Sequence, residues 1–253
     1  MIPKKIHFIF GLKENFGGKP FHLVHYLAVK SARDHNPDYE INYYYEHEAS
    51  GEWWEKLKEI ANLHKIKAPT EVFGNPIKHF AHRADVIRMQ LLKDVGGIYL
   101  DMDTITKKSF DPLLTESFVI GQEGTRKNKL CNAIMFSEPG NRFITDWYEK
   151  YRNFHATGKH DATWGKFSIK LPAEMWKTGK YDDCLTVLPQ TFFHYPHWDK
   201  KGSKMLFEEC HDIVNIYAHH VWESFNWKYL SKLTPEIIKT VDTTYNVIAR
   251  KHL

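Results

Sequence analysis

A helix-compatible run that closes on two glycines and leads at once into a short apolar segment ending in paired aspartates constrains this chain more than any other feature. The segment is Gly96-Gly97-Ile98-Tyr99-Leu100-Asp101-Met102-Asp103. The preceding residues, roughly 79–94, have helical character, and glycine can take the left-handed conformation that ends a helix. Residues 98–101 then read as a short strand. Alternation places Asp101 and Asp103 on one side of its exposed end. Ligands in open α/β sheets bind beyond the carboxyl ends of strands, so two carboxylates there suit a hard divalent cation. An isolated Asp-x-Asp is common in surface turns, and the context is what gives this one meaning.

The flanking chain has the alternating rhythm of strands and helices that builds a mostly parallel sheet. Residues 5–10 are short, β-prone and end at Gly11 before a Gly17-Gly18 loop. A helix is expected over 22–34, stopped by Asn36-Pro37, then a strand over 40–46 and a helix over 52–64 whose stripe is Trp53, Leu57, Ile60, Ala61 and His64. A later helix is expected over 141–154. Near the end, Thr234-Pro235 opens a helix whose stripe runs through Ile238, Val241, Tyr245 and Ile248.

At 253 residues, with 42% hydrophobic content, the chain suits one core, and a single domain over 1–253 is expected. A formal charge of +4 fits an anionic ligand but is too mild to argue for nucleic acid. Cys131, Cys184 and Cys210 are widely spaced and read as free thiols. The opening residues lack a signal-peptide pattern, and no segment approaches the roughly 20 apolar residues of a membrane span. A soluble, cytoplasmic protein is the expectation. The apolar C-terminal stripe beside Arg250-Lys251-His252 leaves peripheral docking on an anionic membrane as an alternative to packing on the domain.

Asp85 and Arg88 share one face of the helix before the glycines. Such a pair is usually an exposed, weak ion pair. The neighbouring Val86, Ile87, Leu91 and Leu92 argue instead for a buried helix, where the pair suits hydrogen bonding to sugar hydroxyls. Of the sixteen histidines, His25, His35, His64, His155 and His252 carry no functional case, and His79 with His82 lacks the partners of a zinc set.

Residues 83–104 closely resemble the sugar-binding Asp-x-Asp region of glycosyltransferase family 32, and are similar to the corresponding region of the clostridial glucosylating toxins and the globotriaosylceramide synthase group. Residues 2–10 resemble that family's opening strand, 132–137 its strand after the motif, and 217–222 its closing His-x-Trp segment. The resemblance implies a GT-A-like α/β fold, with a mostly parallel, mixed central sheet flanked by helices and helical additions. It implies a retaining hexosyltransferase that uses a nucleotide-sugar, with a UDP-sugar favoured and GDP-mannose the main alternative. The acceptor would be a glycan, a lipid-linked sugar or another hydroxyl compound, and the cofactor Mn2+ or Mg2+.

Residue by residue, the resemblance makes Asp103 the direct metal ligand and puts Asp101 on the metal, its water or the ribose. His220, two residues before Trp222, is selected over His219 to complete the metal site, and an imidazole ligand favours Mn2+. Asp85 and Arg88 would grip the donor sugar and diphosphate, and with Asp101 and Asp103 they form the expected catalytic set. Phe10 would stack on the base, with an ordinary core role as the competing reading, while Phe8, Tyr99 and Leu100 join the donor-binding set. Asn132 would reach the sugar or acceptor, and Trp222 and Ser224 would supply walls or phosphate contacts.

The chain departs from the family at Thr163-Trp164-Gly165, where many relatives have Thr-Gly-Pro, which leaves the acceptor side open. Residues 188–196 resemble a later family segment that shapes the acceptor cleft. Glu123 and Glu223 are the candidate nucleophiles should transfer proceed by double displacement. Two rival functions are an inactive sugar- or nucleotide-binding protein of the same fold, and a metal-dependent phosphohydrolase. The four intact site residues oppose the first, and the lack of further Asp and His clusters opposes the second.

Overall fold

The computed structural model describes residues 1–14, 20–126 and 128–253, so the Gly17-Gly18 loop lies outside the described residues. The chain begins with β1 (Lys5–Ile9), α1 (Leu23–His35), β2 (Glu40–Tyr45), α2 (Glu52–Lys58) and β3 (Asn62–Lys65). A small hairpin, β4 (Glu71–Val72) and β5 (Asn75–Pro76), precedes α3 (Phe80–Asp94), β6 (Gly97–Leu100) and β7 (Thr104–Thr106). Then come β8 (Phe118–Gln122), β9 (Leu130–Ser137), α4 (Arg142–Glu149), α5 (Leu171–Trp176), β10 (Thr186–Leu188) and α6 (Lys200–Phe207). β11 (Ala218–His220), α7 (Glu223–Leu230), α8 (Pro235–Thr240) and α9 (Thr244–Ala249) complete the order.

Seven strands form one sheet in the order β10-β8-β9-β6-β1-β2-β3. β1 pairs in parallel with β2 and β6, β2 with β3, and β10 with β8, whereas β9 runs against both β6 and β8. Strand alternation sorts the side chains into two cores. Ile6, Phe8, Tyr43, Ile98, Leu100 and Phe136 fill the face covered by α1 and the C-terminal helices. Ile9, Tyr99, Phe118, Ile120 and Met135 fill the face covered by α3 and α4.

The glycine pair is required by contact as well as by conformation. Gly96 has φ 71°, and a Cβ there would lie 2.7 Å from Pro139 Cδ; Gly97 has φ 105°, and a Cβ would lie 2.6 Å from the Lys5 carbonyl oxygen. The chain can therefore leave α3 and enter the sheet beside β1 only without side chains at these positions.

Two expected helices are corrected. The run over 52–64 is helical only to Lys58, after which Leu63 and His64 pair with Tyr43 and Tyr44 at the sheet edge. The C-terminal stripe is divided between α8 and α9 because Thr243 caps a new helix, its side chain accepting from Asn246 N, which leaves Val241 48% exposed.

The rest of that stripe, Ile238, Tyr245 and Ile248, is buried against the domain. Of the basic end, Arg250 pairs with Asp242 at 2.8 Å and His252 is buried 2.8 Å from Asp34 on α1. Most of the stripe on which membrane docking rested is thus packed within the chain, whereas Val241 and Lys251 stay exposed. No helix among the described residues is long and apolar enough to cross a membrane.

Candidate functional site

Asp101 follows the carboxyl end of β6, and its backbone N–H donates to Ala133 O on β9 at 2.8 Å. The strand does not continue through the motif. Thr104 donates to Asp101 O from its backbone at 3.2 Å and from its hydroxyl at 2.9 Å. Asp101 and Asp103 therefore converge because the chain turns, and not because a pleat carries on between them.

Asp101 belongs to a buried network built on α3 and β9. Arg88 Nη1 lies 3.1 Å from Asp101 Oδ1 and donates to Asn132 O at 2.9 Å, while its guanidinium carbon stands 4.2 Å from the centre of the Tyr99 ring. Asn132 Nδ2 donates to Asp85 Oδ1 at 2.7 Å, and the Tyr99 hydroxyl donates to Asp101 Oδ1. Asp85 and Arg88 are themselves 3.6 Å apart and buried, at 7% and 5% exposed, so they are not a solvent-facing helix pair.

Asp103 is held from elsewhere. β11 lies antiparallel to β7, with His220 opposite Thr104, and Val221 N donates to Asp103 O at 2.8 Å. His220 Nε2 then lies 3.3 Å from Asp103 Oδ2, which also accepts from Glu223 N at 2.7 Å. Between them, Trp222 takes a left-handed conformation, φ 57° and ψ 59°, that turns the chain into α7. His219 faces the other way and bonds through Nδ1 to Tyr195 O at 2.9 Å.

These surroundings separate the two carboxyl groups electrostatically. Burial and the neighbouring Asp103 raise the Asp101 carboxyl against the pull of Arg88. Burial also opposes ionisation of Asp103, but His220 and the backbone donors outweigh it and bring that carboxyl down to about 2. The partner effect runs the other way at His220, whose imidazole is lowered by burial but lifted well above its ordinary value by Asp103 and Cys131.

Asp101, Asp103, Arg88 and Ser224 stand at the boundary of two clefts. One is lined by Phe10, Lys13, Phe80, Tyr99 and Glu223, the other by Asp85, Glu123, Asn132, Trp164 and Trp222. Two expected donor contacts are corrected here. Phe8 and Leu100 are wholly buried in the core and line neither cleft. Alternation gives Ile6, Phe8 and Phe10 one face of the sheet, but of these Phe10 alone passes the strand's carboxyl end.

Glu123 lies in the second cleft, 3.2 Å from Lys129, whereas Glu223 lines the first, 3.2 Å from the buried His25. Cys131 and Trp164 line the second cleft, although the sequence marks the first only as a free thiol and the second only as part of the departure from the family. The pairing of β8 with β9 slips between Ile120 and Gly121, from Met135 to Cys131 as partner, and adjacent Cys131 and Asn132 both reach the cleft beside this irregularity.

Comparison with known proteins gives this site its family. The chain is 33% identical over 264 residues, spanning 99% of its length and 70% of the relative's, to Glucan organizing enzyme 1 of Cryptococcus neoformans var. grubii serotype A. Residues 24–119 match the family described as glycosyltransferase sugar-binding region containing DXD motif. The chain belongs to this family of DXD glycosyltransferases.

The fold of this glycosyltransferase is the GT-A α/β type. Among solved structures it is similar to the apo glycosyltransferase GlyE of Streptococcus pneumoniae TIGR4, with TM-score 0.51 and 11% identity over 98% of this chain and 62% of that one. PaToxG glycosyltransferase aligns with TM-score 0.49 and 16% identity over 99% of this chain and 87% of that one. DXD glycosyltransferases of this fold generally use a divalent metal. The donor set fits one: ligand atoms of Asp101, Asp103 and His220 lie within 4.8 Å of one another, two oxygens and a nitrogen at the cleft boundary.

Proposed function

We propose that this glycosyltransferase moves a hexose from a UDP-sugar to a glycan hydroxyl with retention of anomeric configuration, and that Mn2+ is its metal. The observation that carries the reading is the shared position of Asp101 and Asp103 between two clefts, one aromatic and basic, the other rich in hydrogen-bonding groups.

In this reading the cleft with Phe10, Lys13 and Tyr99 takes the nucleotide. The sugar lies toward Asp85 and Asn132, and Arg88 orients Asp101 while presenting positive charge to the diphosphate. Asp101, Asp103 and His220 would hold the cation, which when bound neutralises charge on the departing diphosphate. Trp222 and Ser224 wall the phosphate side. Attack comes from the face the diphosphate leaves: the acceptor oxygen bonds to the anomeric carbon, the bond to the diphosphate oxygen breaks, and that oxygen takes the acceptor proton. Glu123 lines the sugar side, and a glycosyl group trapped on its carboxylate would overturn front-face attack in favour of double displacement.

The name of the fungal relative supports a glucan or similar glycan as acceptor. Nucleotide release should be measured with a panel of UDP- and GDP-sugars, with Mn2+ and after chelation. Release from a UDP-hexose that chelation abolishes and Mn2+ restores is expected. Release confined to a GDP-sugar would overturn the donor, and release unaffected by chelation would overturn the metal.

A further inference from the structure

Behind Asp103 lies a second group of ligating atoms, which shares His220 with the proposed donor-metal site. Cys131 Sγ is 3.9 Å from His220 Nδ1, and the His194 and His220 ring centres are 5.7 Å apart. One ligand atom from each of the three residues falls within 4.8 Å of the other two. All are buried, at 4%, 0% and 6% exposed for Cys131, His194 and His220.

His194 is the decisive member. Both of its ring nitrogens are buried without a hydrogen-bond partner. Buried polar groups are bonded as a rule, so an imidazole with neither nitrogen satisfied lacks an explanation within the protein. The ring is also confined, since a Cβ added at Gly121 would lie 2.8 Å from its Nε2 and Cδ2.

We propose that Cys131, His194 and His220 Nδ1 form a site for a thiophilic divalent cation of the zinc class. The Cys131–His220 separation is within a few tenths of an ångström of the edge of a tetrahedron, about 3.5 Å, generated by ordinary zinc–sulfur and zinc–nitrogen bonds. Cys131 and His220 line the cleft, which supplies the entry path and a water as fourth ligand. Binding requires the Cys131 thiolate and an unprotonated His220 Nδ1.

His220 Nε2 then keeps its proton and donates it to Asp103 Oδ2, 3.3 Å away, the carboxylate–histidine–metal arrangement that orients a ligating imidazole. In that state His220 offers no lone pair to a cation between Asp101 and Asp103. Zinc behind the site therefore withdraws one ligand from the site in front, and glycosyl transfer falls. This last consequence rests on the proposed role of His220, whereas binding itself does not.

The test is titration of the metal-free full chain with Co2+ as a spectroscopic probe, which requires neither donor nor acceptor. One equivalent should produce thiolate-to-cobalt charge-transfer absorption with tetrahedral visible bands, and Zn2+ should displace it. Cys131→Ser should abolish the charge-transfer band, and His194→Ala should weaken cobalt binding at least tenfold. A chain with Cys184→Ser and Cys210→Ser together should retain the band. Its persistence in Cys131→Ser, or its absence from the unaltered protein, would overturn the proposal.

Discussion

Asp101 and Asp103 stand two residues apart, yet the regions that hold them have little in common. Asp101 is fixed by Arg88, Tyr99 and the β9 backbone, elements of the central sheet and its covering helix. Asp103 is fixed by His220 and Glu223 N, from a strand and helix more than 100 residues later. The first region leaves its carboxyl raised, while the second brings its own down to about 2. A short motif can thus present two carboxylates of different basicity because two distant parts of the chain converge on it.

The sharpest break of this comparison is Asp103→Asn. It removes the lower-pKa carboxylate and the partner of His220, and charge stabilisation of this kind is worth several kcal/mol, so transfer should fall roughly 1000-fold. Equal losses on Asp101→Asn and Asp103→Asn, with equal shifts in Mn2+ dependence, would erase the distinction between the two regions.

Asp85→Asn tests the sheet-side network alone. A hydrogen bond to a charged group is worth about 1.5–3 kcal/mol, so turnover should drop at least tenfold while the thermal midpoint stays near that of the parent. Full activity with every accepted donor would reduce Asp85 to a support for Asn132.

The sheet side also carries an acid sensitivity of its own. Burial lowers the His7 imidazole to about 4, against the raising effects of the Gly96 carbonyl and Glu40, with Lys5 and His64 lowering it further. The unfolded chain therefore binds the proton first as pH falls. This contribution is complete above about pH 6.5 and declines toward pH 4, by about 2 kcal/mol at pH 5. Urea unfolding of His7→Gln should show a correspondingly shallower loss between pH 6.5 and 5; an unchanged slope would contradict it.

The smallest effect separates His220 from its neighbour. Water can fill a ligand position vacated in His220→Ala, so the Mn2+ concentration for half-maximal donor hydrolysis should rise roughly tenfold, while in His219→Ala it should not move. Equal responses would remove the C-terminal region from the proposed metal site.

The same contrast explains what the sequence could reveal. The sheet-side network comes from nearby residues with strong local signals: a helix, two glycines and an apolar strand. Asp85, Arg88 and Asn132 do come together, as their positions on α3 and β9 imply. The later half depends on a three-residue strand and a left-handed turn at Trp222, features with little local periodicity, and His220 was reached through family resemblance. Glu223's backbone donor has no side-chain signature at all. His194 and Cys131 look like ordinary buried residues until the fold places them side by side. The errors at β3 and at α8–α9 have the same origin, since edge pairing with β2 and the Thr243 cap override stripes that look continuous along the chain.

The left-handed backbone at Trp222 sets stability and activity against each other. A bulky residue at positive φ holds about 1–3 kcal/mol of unfavourable conformational energy, and glycine would relieve much of it. The same indole stands 3.9 Å from the His220 ring and lines the cleft that also holds Asp85 and Asn132. A library selected for heat resistance would therefore be drawn to glycine at 222, and one selected for glycosyl transfer would be drawn back. Enrichment ratios at this position under the two regimes would measure how much folding free energy the site withholds from the rest of the molecule.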